Sequence, residues 1–246
     1  VTGAGSGIGR GVALELAKRG AHLVLADIEE AGLHEVEKEF ADNKCNPPLL
    51  VLGDQSKEAD VQATVTRTIK HFGGLDGVVI NAGIGISDKL EDLDVEKWRR
   101  GLDINLSSAF MLTKESMKVM RKQKMGGSLV YIASKNAFSP GAGFGGYSVS
   151  KAGMLQLMRI AALEGGNAGI RCNGINPDAV FDNSKLWAGG IREQRAAAHG
   201  VKPEDLEDFY ASRNLLNARV RSLDVARAAA FFLSDESSRT TGSVIA

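Results

Sequence analysis

The chain has 246 residues, 43% of them hydrophobic and 24% charged, with 30 basic side chains against 30 acidic ones. That length fits one large domain or two small ones, with enough apolar surface for a proper core. A zero net charge without a basic run gives no electrostatic footprint for nucleic acid or an anionic membrane surface. No apolar run approaches the roughly 18 residues of a membrane-spanning helix, and no signal peptide leads the chain. Cys45 and Cys172 are far apart and lack metal-ligand spacing, so no metal is expected, and free thiols point to a reducing, cytoplasmic setting. The expected partner is a small molecule.

Val1-Thr-Gly reads as the end of a strand and Gly242-Ser-Val-Ile-Ala246 as a strand cut short. The expectation is a single domain over 1–246, trimmed at both ends from a longer polypeptide. Thr2-Gly-Ala-Gly-Ser-Gly-Ile-Gly9 runs directly into a helical pattern that stops at Gly20. Glycines permit a tight strand-to-helix turn and let backbone amides approach a diphosphate, which the positive helix end then stabilises. The spacing is Thr-Gly-x-x-x-Gly-x-Gly on Gly3, Gly7 and Gly9 rather than Gly-x-Gly-x-x-Gly, and it is the strand before and the helix after that make it a dinucleotide signal.

A second strand, His22 to Asp27, ends on a carboxylate about 20 residues past the glycines, where it would accept hydrogen bonds from ribose hydroxyls and repel a 2′-phosphate. Ile28 and Ser6 stand where a basic residue would argue for NADP. A cap for the following helix is the other reading of Asp27. A helix over Ala31 to Phe40 precedes the apolar run Leu49 to Leu52, after which Asp54 has two readings, an adenine contact or a helix cap. Ser56 opens a helix to Phe72, and Leu75 to Ile80 is a fourth strand ending in Asn81-Ala82-Gly83. Alternating helices and nearly all-apolar strands describe an α/β fold, a doubly wound parallel sheet with helices on both faces. Ligands of such sheets gather beyond the carboxyl ends of the strands.

A long helical region, Trp98 to Lys124, carries Asn105, a poor helix former that read by itself faces solvent. A strand-like run, Leu129 to Ala133, leads into the stretch Ser134 to Lys151, a Gly-rich loop ending in helical periodicity that continues to Gly165. Tyr147 and Lys151, four apart, share a helix face. A phenol with a reference pKa of about 10 is a poor base at neutral pH, and a neighbouring ammonium lowers that value. The loop is long enough to bring the Ser134 hydroxyl back over the same helix end. Ile170 to Asn176 is a further strand. The segment 178–221 that follows holds two short helical patterns, Ile191 to His199 and one starting at Pro203 that sets Leu206, Phe209 and Tyr210 on one face. A segment that long beyond a strand's carboxyl end is a natural substrate lid. Ser222 is read as the cap of a last helix through Leu233.

In order and spacing, Thr2-Gly-x-x-x-Gly-x-Gly9, Asp27, Asn81-Ala-Gly83, Asn105, Ser134 and Tyr147-x-x-x-Lys151 resemble the classical short-chain dehydrogenase/reductase family along the whole chain. The resemblance implies a catalytic tetrad of Asn105, Ser134, Tyr147 and Lys151, with Asn105 holding a water behind Lys151. It implies cofactor contacts at Gly3, Ser6, Gly7, Ile8, Gly9, Asp27, Asp54, Asn81, Ala82, Gly83, Tyr147 and Lys151. Pro177 and Val180 would border the nicotinamide. A homotetramer built on the two long helices is implied as well. Three departures stand out: Ile80 precedes Asn-Ala-Gly where the family usually has Asn, and Asp178 and Asp182 stand where it usually has Gly and Thr. The two acids put the usual nicotinamide-amide contacts in question.

Ile132-Ala-Ser-Lys-Asn136, Pro140-Gly-Ala-Gly143 and Arg192 to Gly200 resemble, more narrowly, the dehydrogenase half of bifunctional rhamnulose-phosphate aldolase/dehydrogenases. That likeness implies an upstream aldolase domain and a link to lactaldehyde oxidation. The expected activity is NAD-dependent hydride transfer involving a small hydroxy-aldehyde or alcohol. A polyol, sugar or 3-oxoacyl reductase of the same family is the alternative, and a non-catalytic nucleotide-binding module is a third. Lys135, Asn136, and Arg192 or Arg195 hint at a polar or anionic substrate; exposed loop charges are the other reading.

Overall fold

In the computed structural model, which describes residues 1–246, the first strand is reduced to a hinge between two parts of a parallel sheet. Strands β1 (Val24–Asp27) and β2 (Leu49–Leu52) pair in parallel, as do β3 (Gly77–Ile80), β4 (Gly127–Ile132), β5 (Ile170–Ile175) and β6 (Val244–Ile245) in that spatial order. Val1 to Ala4 joins the halves. The Ala26 amide donates to the Val1 carbonyl and the Ala4 amide to that of Ala26, while the Thr2 amide donates to Val79 on the other side. The chain leaves this central segment first towards β1 and β2, then returns to β3, which creates a topological switch point between Thr2 and β3.

Both sheet faces are dry. Val79, Val130, Ile132 and Ile175 face a core made with α1 (Gly7–Lys18), α2 (Glu30–Asp42) and α9 (Ser222–Leu233). Val78, Ile80, Leu129 and Tyr131 point the other way, into a core made with α3 (Glu58–Phe72), α5 (Ser108–Gln123) and α6 (Gly145–Gly165). Adjacent residues of one strand therefore serve opposite cores, which is why the strands read as unbroken apolar runs rather than alternating ones. Above the carboxyl ends lie α7 (Ile191–His199) and α8 (Leu206–Ser212), held by a small core of Ala196, Leu206 and Tyr210.

Four local readings are corrected. The long helix is interrupted: α4 (Val95–Leu102) and α5 are joined by a π turn over Asp103–Ser107. Asn105 sits in that turn and is wholly buried rather than facing solvent. The first helical residue after Ser56 is Glu58, because Asp54 takes both the amide and the hydroxyl of Ser56 and holds that segment in a turn. Ser222 is the first residue of α9 and not its cap. Both carboxylate oxygens of Asp182 receive the Ser222 amide at 3.1 Å, and its hydroxyl also donates to Asp182. One of the two acids that depart from the family pattern thus ties the segment 178–221 to α9.

Candidate active site

The glycine turn is shaped by its backbone. Gly3 (φ 63°) and Gly7 (φ 48°) occupy the left-handed region, where a side chain is strained, and a Cβ on Gly9 would run into the Gly3 carbonyl. At the start of α1 the amides of Ser6, Ile8 and Gly9 have no backbone acceptor, and Ser6 makes no side-chain cap. Those unpaired donors at a positive helix end fit a diphosphate. The Gly7 amide is spent on the Asn183 carbonyl at 2.8 Å, so the start of the segment 178–221 rests directly against this cradle. The Asn81 amide group donates to the carbonyls of Thr2 (2.9 Å) and Gly3 (3.2 Å), and the Thr2 hydroxyl receives the amides of Asn81 and Ala82. This web closes the switch point.

Asp27 ends β1 with its carboxylate beside the turn: Oδ2 accepts from the Gly5 amide at 2.8 Å and Oδ1 from Glu29 at 3.0 Å. The remaining lone pairs are available to ribose hydroxyls. Asp54 is engaged as a turn cap by Ser56, which is the main reason its carboxyl is held below the usual carboxylate range.

Asn105, Ser134, Tyr147 and Lys151, scattered over 47 positions of sequence, converge at the ends of β3 and β4. The buried Asn105 side chain donates to the Ile84 carbonyl (3.0 Å) and the Ser150 hydroxyl (3.0 Å), and it accepts from the Ile84 amide (2.8 Å). Both amide hydrogens are thereby used, so a water behind Lys151 would have to meet an oxygen of Asn105. A Cβ on Gly83 would lie 3.1 Å from Asn105 Oδ1 and 3.5 Å from Lys151 Nζ, so this glycine marks where the two groups approach. Ser134, just past β4, accepts from the Asn136 amide at 3.2 Å. Its hydroxyl stands by the Tyr147 phenol.

The electrostatics depart from the sequence expectation. Lys151 Nζ donates to the Ile132 carbonyl at 2.8 Å and lies 5.7 Å from the Tyr147 ring centroid. Burial pushes the phenol up to about 12, against a downward pull from the Ser134 hydroxyl, and burial lowers Lys151 to about 8. In the protein by itself burial governs both groups and pushes each toward its neutral form.

Ser134, Tyr147, Ile8, Pro177 and Val180 line one cleft that opens to solvent. Two further lining residues are ones that local pattern does not single out: Phe144, tilted against the Tyr147 ring at 4.6 Å, and Trp187, stacked 4.2 Å from Phe181 with its Nε1 donating to the Val180 carbonyl. Ser150, the partner of Asn105, was missed as well; its position three residues after Tyr147 was the available signal. Asp178, the second departing acid, lines the cleft and pairs with Lys135 at 3.5 Å. Of the two arginines on α7, Arg195 lines the cleft and is buried, whereas Arg192 turns to the Pro203 carbonyl.

Residues 3–246 match the family described as enoyl-(acyl carrier protein) reductase. The chain is 36% identical over its whole length to the uncharacterised oxidoreductase YuxG of Bacillus subtilis, of which it spans only 36%. It is 31% identical to levodione reductase of Leifsonia aquatica, spanning 90% of that protein, and 34% identical to cis-4-hydroxycyclohexanecarboxylate dehydrogenase of Sinomonas cyclohexanicum, spanning 92%. A crystal structure of levodione reductase superposes with a TM-score of 0.92, covering 99% of this chain and 93% of the other at 31% identity.

Proposed function

This chain belongs to the short-chain dehydrogenase/reductase family, and we propose that it transfers hydride between NAD and a small hydroxy-aldehyde or alcohol such as lactaldehyde. Enzymes of this family are oxidoreductases that use NAD(H) or NADP(H). The choice of NAD rests on Asp27 at the end of β1 and on the absence of a basic residue at Ser6 or Ile28. The choice of lactaldehyde rests on the narrower sequence likeness to aldolase/dehydrogenases, as does an upstream aldolase domain; a cytoplasmic setting rests on the two free thiols. The homotetramer rests on family resemblance. Segment 178–221 is read as the substrate lid.

The observation that carries the reading is the gathering of Asn105, Ser134, Tyr147 and Lys151 beside the unpaired amides of the glycine turn. In oxidation, Tyr147 as phenolate removes the hydroxyl proton of the substrate, and Ser134 steadies the substrate oxygen. Lys151 stabilises the phenolate, and Asn105 holds a water behind Lys151 in the proton relay. Bound nicotinamide supplies the acceptor for the hydride leaving the carbinol carbon. An aldehyde enters the same chemistry as its hydrate, whose geminal hydroxyl behaves as an alcohol and whose oxidation yields the acid. Since the phenol is held near 12 in the free protein, the positive charge of oxidised nicotinamide would assist its ionisation.

Turnover of lactaldehyde and of a panel of polyols, sugars and 3-oxoacyl thioesters, each with NAD(H) and with NADP(H), tests the proposal. Expected are a preference for NAD and loss of about 10³-fold or more in kcat for Tyr147→Phe. A reductase reading of the same site is favoured by the matching enoyl reductase description and by levodione reductase. Turnover of a ketone but not of lactaldehyde would select it.

A further inference from the structure

Arg195 carries a charge that no acid in the protein answers. It is 5% exposed, yet no carboxylate lies within ion-pair distance of it, in contrast to the arginines at positions 10, 19, 219 and 221. Its Nη1 donates to the Ala142 carbonyl at 2.9 Å and its Nη2 meets His199 Nε2 at 3.0 Å. Neither partner is charged to match it. The guanidinium lies 5.2 Å from the centre of the Phe144 ring, which is 4.6 Å from that of Tyr147, so one aromatic ring separates the cation from the phenol. Both side chains line the same cleft.

The surroundings add positive charge. His199 is held below its ordinary pKa by burial first and then by Arg195, Arg213 and Lys135. Lys135 and Arg213 lie over the Tyr210 ring at 5.9 Å and 5.4 Å, and Tyr210 lines the cleft. The one acid there, Asp178, is engaged by Lys135. Desolvating a guanidinium without a counter-ion is costly, and a planar fork of donors is suited to a carboxylate or phosphate.

We infer that the substrate bears an anionic group, carboxylate or phosphate, which Arg195 receives on the far side of Phe144 while the reacting hydroxyl meets Tyr147 and Ser134. This rests on the hydride-transfer reading of the cleft and narrows it. Lactaldehyde is uncharged and acquires a charge only as product, at the reacting carbon, so it lacks the group for Arg195. Compounds with an anion a few bonds from the carbinol are the preferred class.

The test compares NAD-loaded protein on β-hydroxybutyrate, γ-hydroxyvalerate and glycerol phosphate with their uncharged counterparts, the two methyl esters, glycerol and lactaldehyde. At least one anion should exceed its neutral counterpart in kcat/KM by about 10- to 100-fold, mostly through KM, and Arg195→Gln should reduce that ratio to near unity. Which arm responds distinguishes carboxylate from phosphate. Should Arg195→Gln fail to fold, Arg195→Lys keeps the charge but not the fork and should lose part of the preference. Turnover without any charge preference in the wild type would overturn the inference and leave the proposed activity standing. If no alcohol is turned over, calorimetric titration of the NAD-loaded protein with butyrate and propyl phosphate decides. Binding lost in the Arg195 variants supports the anion site, and no binding by the wild type removes it.

Discussion

Lys151 and Tyr147 face each other across 5.7 Å, ammonium over ring, yet the ammonium's hydrogen bond goes to the Ile132 carbonyl. The pair is assembled and both members are buried, and in that state each is pushed toward its neutral form. The base is therefore latent in the free protein.

It follows that Tyr147 should ionise near pH 12 without dinucleotide. The tyrosinate absorbance of wild type minus Tyr147→Phe checks this. The difference should stay flat through neutrality and rise only in strong alkali. Each unit by which bound NAD lowers the transition corresponds to about 1.4 kcal/mol of interaction with the phenolate. A phenolate already present near pH 7 in the free protein would contradict the burial-dominated environment.

Lys151, lowered to about 8 by burial, has the opposite consequence for stability. Between that value and its unfolded pKa near 10.5 the unfolded chain binds the extra proton, so this group makes stability rise with pH across the window. At neutral pH the buried ammonium is a net cost. Lys151→Met should raise the unfolding free energy by about 1–3 kcal/mol at pH 7 while abolishing turnover, and it should flatten the rise above pH 8. Urea unfolding at several pH values measures both effects.

Asn105 is bound on three sides in the π turn, twice by Ile84 and once by Ser150. Asn105→Ala leaves the Ile84 amide and carbonyl without partners and should cost about 2–4 kcal/mol in urea unfolding. Ser150→Ala removes one of the three bonds and should cost about 0.5–1.5 kcal/mol. Equal losses for the two would show that the turn does not depend on Asn105.

His199 reports on how α7 and α8 pack. It contacts Arg195 on its own helix and Tyr210 on α8, and it feels Arg213 at the end of α8 and Lys135 beyond β4. Its folded pKa lies below that of the unfolded chain, so its contribution is fully present above about pH 6.5 and is lost as pH falls through the folded value. Protonation also removes the acceptor for Arg195 Nη2. Wild-type KM should accordingly rise on acidification below pH 6.5, and His199→Asn, which keeps an acceptor without a titrating ring, should remove that rise. An unchanged pH profile in the variant would show that His199 plays no part.

What local chemistry could specify was legible from the chain. A glycine turn needs only a strand before it and a helix after it. Tyr147 and Lys151 share a face because helical geometry allows nothing else at that spacing, and Asp27 falls at a strand end because the apolar run stops there. Tertiary contacts decided the rest. Asn105 read as solvent-facing because its partners, Ile84 and Ser150, lie 21 and 45 residues away. Asp178 and Asp182 stand in sequence only as departures from the usual pattern, because their partners, Lys135 and Ser222, lie far along the chain. Arg192 and Arg195 were indistinguishable until the turn of α7 sent one to Pro203 and the other into the cleft. The ionisation of Tyr147 depends on how much water each group loses, and desolvation is set by everything packed around a side chain rather than by its neighbours in sequence.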